Sequence, residues 1–203
     1  MQKLDEGSHY RTKIKAALYT LRRLRRAKFQ EQADLLEASL GTVKEAGRDL
    51  EDLEDAIIAP ITDRDIADDT MDLCFRESRQ ELASRGLKAA QEAPYTDIFH
   101  SGVGYYAGAR IEDQVQRTAE FIHLVEADLP EADIIRVEKV PTLKQGSEDF
   151  KAALEAIEQA ELKASSARTR LKRVERDLIR LMEKIYGFLI EKVGRTAAER
   201  FFR

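Results

Sequence analysis

Residues 147–190 read SEDFKAALEAIEQAELKASSARTRLKRVERDLIRLMEKIYGFLI. Phe150, Ala153, Ile157, Ala160, Ala164, Ala167, Leu171, Val174, Leu178, Leu181, Ile185 and Phe188 recur there in steps of three and four. An unbroken apolar seam over more than five heptads predicts a helix that packs along its length against other helices, as in a coiled coil. The first half of the seam is rich in Ala, which lets a partner helix approach closely. The second half carries large side chains, and Ile179, Met182, Tyr186, Leu189 and Ile190 widen the apolar face beyond what one partner helix covers. That surplus points to self-association through Leu171, Val174, Leu178, Leu181, Ile185 and Phe188. Phe201 and Phe202, at the chain end, are costly in water. They fold onto the first helix or join the contact with another subunit.

Outward from this seam the rest of the chain is also helical. Ser8 can cap a helix that runs without Pro to Ala59-Pro60. Its apolar positions include Ile14, Leu18, Leu21, Leu24, Phe29, Ala33, Leu36, Leu40, Val43, Leu50, Leu53 and Ile57, mostly at helical spacing. Pro60 breaks it. Asp63 or Asp65 would cap a second helix reaching about Glu92, with Pro94 as its stop. Residues 94–108, PYTDIFHSGVGYYAG, form a Gly-rich and aromatic-rich loop. A third helix over about 109–129 follows from Ile111, Val115, Thr118, Ile122, Val125 and Leu129. Pro130 stops it, and 130–148 reads as a linker.

Composition agrees. Of 203 residues, 35% are charged, and four Pro and ten Gly are too few for an all-β chain with frequent turns. An apolar share of 43% is too high for a disordered chain. One Cys excludes an intramolecular disulfide and a Cys-rich zinc module, and three His leave little for metal chemistry. No apolar run is long enough for a membrane-spanning helix, and MQKLDEGSHY lacks the layout of a secretory signal. The expected compartment is therefore the cytoplasm.

Helix lengths and short connections favour antiparallel neighbours. The expected fold is an all-α antiparallel bundle in a single domain, 1–203. Two long helices, the first and fourth, flank a shorter helical hairpin. Together they make a four-helix head, about 34–169, and a two-helix coiled-coil stalk, about 10–33 with 170–200. Residues 1–28 carry nine Lys/Arg and two acids, and residues 163–203 carry twelve and five. Residues 29–162 carry thirteen Lys/Arg and thirty-one acids. The stalk end is thus a basic pole and the head is acidic.

Candidate sites are few. Arg22, Arg23, Arg25 and Arg26 form a basic pole that fits nucleic acid or anionic lipid. On a helical wheel, however, the charges of 11–28 fall all round, which also suits a salt-bridged stalk end. Glu120 and His123 make an E-x-x-H step of the kind that binds iron in helical bundles. Both point away from the stripe of Ile111, Val115, Ile122 and Leu129, and the other such step, Glu6 to His9, lies at the terminus. Cys74 reads as a buried inert thiol, with His100 the one imaginable base. Tyr95, Phe99, Tyr105 and Tyr106 read either as rings closing the base of the head or as a contact for a partner. Gly102-x-Gly104 lacks the third Gly and the preceding strand of a dinucleotide fingerprint.

No catalytic constellation is present, and no metal or cofactor is expected. The leading expectation is a structural, self-associating scaffold: a homo-oligomer, closed or filament-forming, with another protein as a further possible partner. The alternative is a nucleic-acid or anionic-membrane binder that uses the basic residues of 11–28 and 163–203.

Overall fold

A computed structural model describes residues 9–202. Glu6 and Ser8 lie outside the described residues, and with them the Ser8 cap and the Glu6–His9 step. All regular structure among the described residues is helical. The helices are α1 (Tyr10–Arg26), α2 (Gln30–Asp55), α3 (Ile58–Ser84), α4 (Tyr95–Ile98), α5 (Val103–Tyr106), α6 (Ile111–Asp128), α7 (Val140–Val193) and α8 (Arg195–Glu199). A 3-10 turn spans Ala89–Gln91 and a π turn spans Ile135–Lys139. None of the described helices is long and apolar enough to cross a membrane. The chain forms two compact units, divided after Ala56 and after Gln159. One holds α1, α2, the later part of α7 and α8; the other holds α3 to α6 and the early part of α7.

In the first unit, the helix expected over 8–59 is two helices. Leu24 and Phe29 are five residues apart, about 140° around a continuous helix, so both could not face one core. The chain turns between them. Lys28 takes the left-handed conformation (φ 62°), and the Phe29 N–H donates to the Leu24 carbonyl at 3.1 Å. Then α2 runs back along α1. Arg25 pairs with Glu37 at 2.5 Å near the turn, and Arg11 reaches Glu51 at 2.5 Å at the far end. Gly47 makes room for the Tyr10 ring, which a Cβ there would overlap.

The later part of α7 runs antiparallel to α2, with Arg170 on Asp49 at 2.8 Å and Phe188 edge-on to Phe29 at 5.9 Å. It therefore runs parallel to α1. Leu21, Leu24, Leu36, Leu40, Leu178, Met182 and Leu189 fill the three-way seam. The two-helix stalk expected from the sequence is thus a three-helix unit, because residues 34–55 fold with α1 rather than joining a head.

The second unit is built on α3, α6 and the early part of α7. Phe75, Phe121 and Phe150 are buried at its centre with Met71 and Leu143. A Cβ on Gly146 would meet Met71 Cγ at 2.9 Å, so this glycine lets α7 lie close against α3. Three boundaries differ from the sequence expectation. Pro60 does not precede α3 but sits in its first turn, where the missing N–H has no intrahelical bond to lose. Neither Asp63 nor Asp65 is a cap. At its other end α3 stops at Ser84 instead of about Glu92. Leu87 beyond it is fully exposed, so no apolar face continues the helix.

The expected linker 130–148 is helical from Ile135 onward. Ile135 and Val140 are five residues apart and both buried. The π turn, with the Val140 N–H on the Ile135 carbonyl, places such a pair on one face. Pro141, which has no N–H to give, follows at once. The expected four-helix head is therefore three long helical segments closed by α4 and α5.

Candidate functional site

The seam residues proposed for self-association form the first unit's own core. Leu171, Leu178 and Ile185 are buried, and Val174, Leu181 and Phe188 pack half-buried against them. Most of the surplus apolar width on 171–190 is covered within one chain: Met182 and Leu189 are buried and Tyr186 and Ile190 pack half-buried, while Ile179 borders a pocket. Phe201 and Phe202 also fold back. Phe201 packs against Phe29 at 6.0 Å, and Phe202 stands edge-on to Tyr186 at 5.4 Å. The short helix α8, entered through Gly194 at φ 80°, turns them inward. Of the two fates read for these rings, folding onto the chain's own helices is the one observed.

The four arginines separate by role. Arg23 lies over the Phe201 ring at 5.8 Å, and Arg25 pairs with Glu37. Arg22 and Arg26 are exposed, with no ion pair among the described residues. Lys13, on the same helix, points inward and pairs with Glu175 at 3.2 Å. Once these are assigned, the exposed cations Arg11, Lys15, Arg22 and Arg26 follow in steps of four, seven and four. They lie along one side of α1, a narrower distribution than the wheel of all eight charges implied.

The aromatic loop belongs to the core of the second unit. Phe99 and Tyr106 are buried, and the Tyr106 hydroxyl donates to the Ile98 carbonyl at 2.9 Å. Tyr106 packs on Phe75 and Phe121 at 5.5 and 5.1 Å. Tyr95 and Tyr105 are half-buried. Tyr95 accepts from Arg79 Nε at 3.0 Å, and Tyr105 donates to Glu120 at 2.9 Å while Arg117 covers its ring at 4.4 Å. Glu120 thus serves the loop, with His100 Nε2 4.0 Å from its carboxylate. Among the described residues no group of three or more His, Cys, Asp or Glu could hold a metal. Cys74 is buried, and burial pushes its thiol above the ordinary value.

Two features were not read from the sequence. The first is α3, whose exposed side carries Ile58, Ile66 and Leu73 at 62%, 59% and 56% exposure. Steps of eight and seven put all three on one side of the helix. Beside them a groove of about 850 Å³ runs between α3 and α7. Its walls include Ile66, Ala67, Ala153 and Ala156, and Asp63 and Asp149 stand among its polar groups. In the α3 sequence Ile58, Ile66 and Leu73 are spaced widely among Thr, Asp and Arg, so the exposed apolar side gave no separate signal.

The acids of α3 crowd one another. Burial, then Asp68 one turn earlier, raises the Asp72 carboxyl from its usual 3.8 to about 6, although Arg76 lies 3.1 Å away and opposes the shift. A carboxyl raised on folding holds its proton in the native state where the unfolded chain has lost it. Its contribution favours the fold below pH 3.8 and is lost as pH rises toward 6. Asp72→Asn should therefore gain in urea midpoint relative to the wild type as pH is raised from 4 to 7. A midpoint difference that does not change with pH would show that Asp72 titrates normally.

The second feature is a pocket of about 740 Å³ in the first unit, where α1, α2 and α7 meet. No family model, no curated protein and no solved structure matches the chain. The class defined by the fold is an all-helical protein of two compact units.

Proposed function

We propose that this chain is an interaction protein that assembles with copies of itself. The observation carrying this reading is the exposed apolar side of α3 beside its groove. Ile58, Ile66 and Leu73 are large, lie along one side of one helix, and are exposed. Charge complementarity indicates a second copy as the occupant. The unit 57–159 holds eleven Lys/Arg and twenty-one Asp/Glu, whereas the remaining residues hold twenty-three and seventeen. The acidic unit of one molecule then meets the basic unit of the next. Such a contact is head-to-tail, and it forms a ring or an open filament depending on whether the rotation closes.

Exposed ion pairs contribute only about 0–1 kcal/mol each, so apolar burial at α3 supplies most of the affinity. The test is sedimentation of the full chain at low and high salt, with Ile66→Glu/Leu73→Glu as the variant. Both side chains are exposed, so the variant should fold. The wild type should associate, associate less at about 1 M salt where the Debye length is about 3 Å, and lose association in the variant. A wild type that stays monomeric at high concentration, or a variant that assembles as well as the wild type, overturns the reading.

One observation favours a second reading. Lys15, Arg22 and Arg26 face solvent along one side of α1 with no acidic partner among the described residues, as a helix that tracks phosphates would. Neutralising Lys15, Arg22 and Arg26 together, which leaves Arg23 on Phe201 and Arg25 on Glu37, separates the two. Assembly that loosens supports contact between copies. Unchanged assembly with loss of salt-sensitive binding to a DNA duplex or an anionic vesicle supports the polyanion reading.

A further inference from the structure

The pocket of the first unit contains more fixed charge than its ion pairs use. It opens between the start of α1, the end of α2 and the middle of α7. At its floor Lys13 and Glu175 are 1% and 8% exposed and hold each other at 3.2 Å. On one side Arg168 is committed to Glu54, with N–O distances of 2.8 and 3.0 Å. Glu51 is committed to Arg11 and to the Tyr10 hydroxyl, whose hydrogen bond draws its carboxyl below the usual range. Each acid of the pocket therefore has a cation or donor of its own.

Two cations are left over. Lys172 and Arg176 also border the pocket and have no ion pair among the described residues. With Arg168 they stand four residues apart along α7, so all three lie on the same side of that helix. Leu50, Leu171 and Ile179 provide apolar wall. The volume is in the range of pockets that enclose a small organic molecule, about 300–1,000 Å³.

We propose that this pocket binds a small organic anion with an apolar body, its charged group held by Lys172 and Arg176 and its body against Leu50, Leu171 and Ile179. The Lys13–Glu175 pair makes the floor rigid and electrically neutral, so the uncompensated positive charge sits at the rim. An anion enters head-outward, its charge near solvent and its apolar part inside. A carboxylate, a sulfonate and a phosphate monoester share this chemistry. The site is separate from the α3 surface, and the assembly reading can fail without affecting it.

The test uses two fluorescent probes of similar shape, anilinonaphthalene sulfonate and the uncharged N-phenylnaphthylamine, titrated into the full chain. The variant is Lys172→Glu/Arg176→Glu; both side chains are exposed, and circular dichroism and the melting temperature check that it folds. The sulfonate dye should bind one saturable site in the wild type and at least about tenfold more weakly in the variant, a loss of about 1.4 kcal/mol. The uncharged dye should bind equally weakly to both. Inorganic phosphate, added as competitor, should displace the sulfonate dye only at high concentration, since it lacks the apolar body. Sulfonate binding that survives the charge reversal overturns the proposal. So does a parallel loss of the uncharged dye, or the absence of a saturable site.

Discussion

Lys13→Met should destabilise the first unit by about 3–5 kcal/mol, and adding Glu175→Met should restore most of that loss. Lys13 is 1% exposed and Glu175 8% exposed, with 3.2 Å between Nζ and Oε2. Removing the lysine leaves a nearly buried carboxylate without the cation that it holds at 3.2 Å. Removing both charges leaves two flexible apolar side chains of similar length in a site already walled by Leu171. The intact pair gains Coulomb energy but both ions forfeit hydration, so its net value against an apolar pair is small even though each half is indispensable to the other. Urea unfolding of the wild type, both single variants and the double variant measures the coupling. Additive losses would mean that the two charges are solvated independently and that the pair does not act as a unit.

Lys13 also shows how far the sequence could be read. It sits among eight Lys/Arg between 11 and 28, a stretch with no acid. Yet 13, 17, 20 and 24 follow at helical steps and all four side chains are buried. The signal was a lysine on an apolar stripe, and it was masked by the charges around it. The break at Lys28 had a comparable signal, the five-residue step from Leu24 to Phe29, which passed as a slip in an otherwise regular pattern.

The seam of α7 was legible because twelve consecutive apolar positions leave no other register. What covers it was not. A face wide enough for two neighbours is equally well covered by a second chain or by two helices of the same chain, and only the turn at 27–29 decides between them. The π turn had no readable signal, since Ile135 and Val140 at a spacing of five look like a strand or a linker until the extra backbone residue is seen. The pocket's spare cations were present as an i, i+4, i+8 row but became distinct only when Arg168 was found occupied by Glu54.

Tyr106→Ala should cost about 3–5 kcal/mol, as truncation of a fully buried aromatic does, whereas Tyr106→Phe should cost about 0.5–1.5 kcal/mol for one hydrogen bond. The sequence left the rings of 94–108 open between core and partner contact, and these variants separate the two roles ring by ring. Tyr106 is wholly buried, meets Phe75, Phe121, Tyr105 and Phe99 at 5.0–6.0 Å, and keeps its hydroxyl on the Ile98 carbonyl. Burial raises its phenol above the ordinary value, so the hydroxyl stays protonated and remains a donor. Truncation opens a cavity between α3, α5 and α6 that helices tied by other contacts cannot close. Tyr95, half-exposed and held by Arg79, should lose much less on the same change. Thermal unfolding of Tyr106→Ala, Tyr106→Phe and Tyr95→Ala gives the order directly. If Tyr106→Ala melts with the wild type while assembly or partner binding fails, the ring serves a contact. A large fall in melting temperature, with Tyr95→Ala near the wild type, assigns the loop to the core, with the half-exposed Tyr95 and Tyr105 as its outer face.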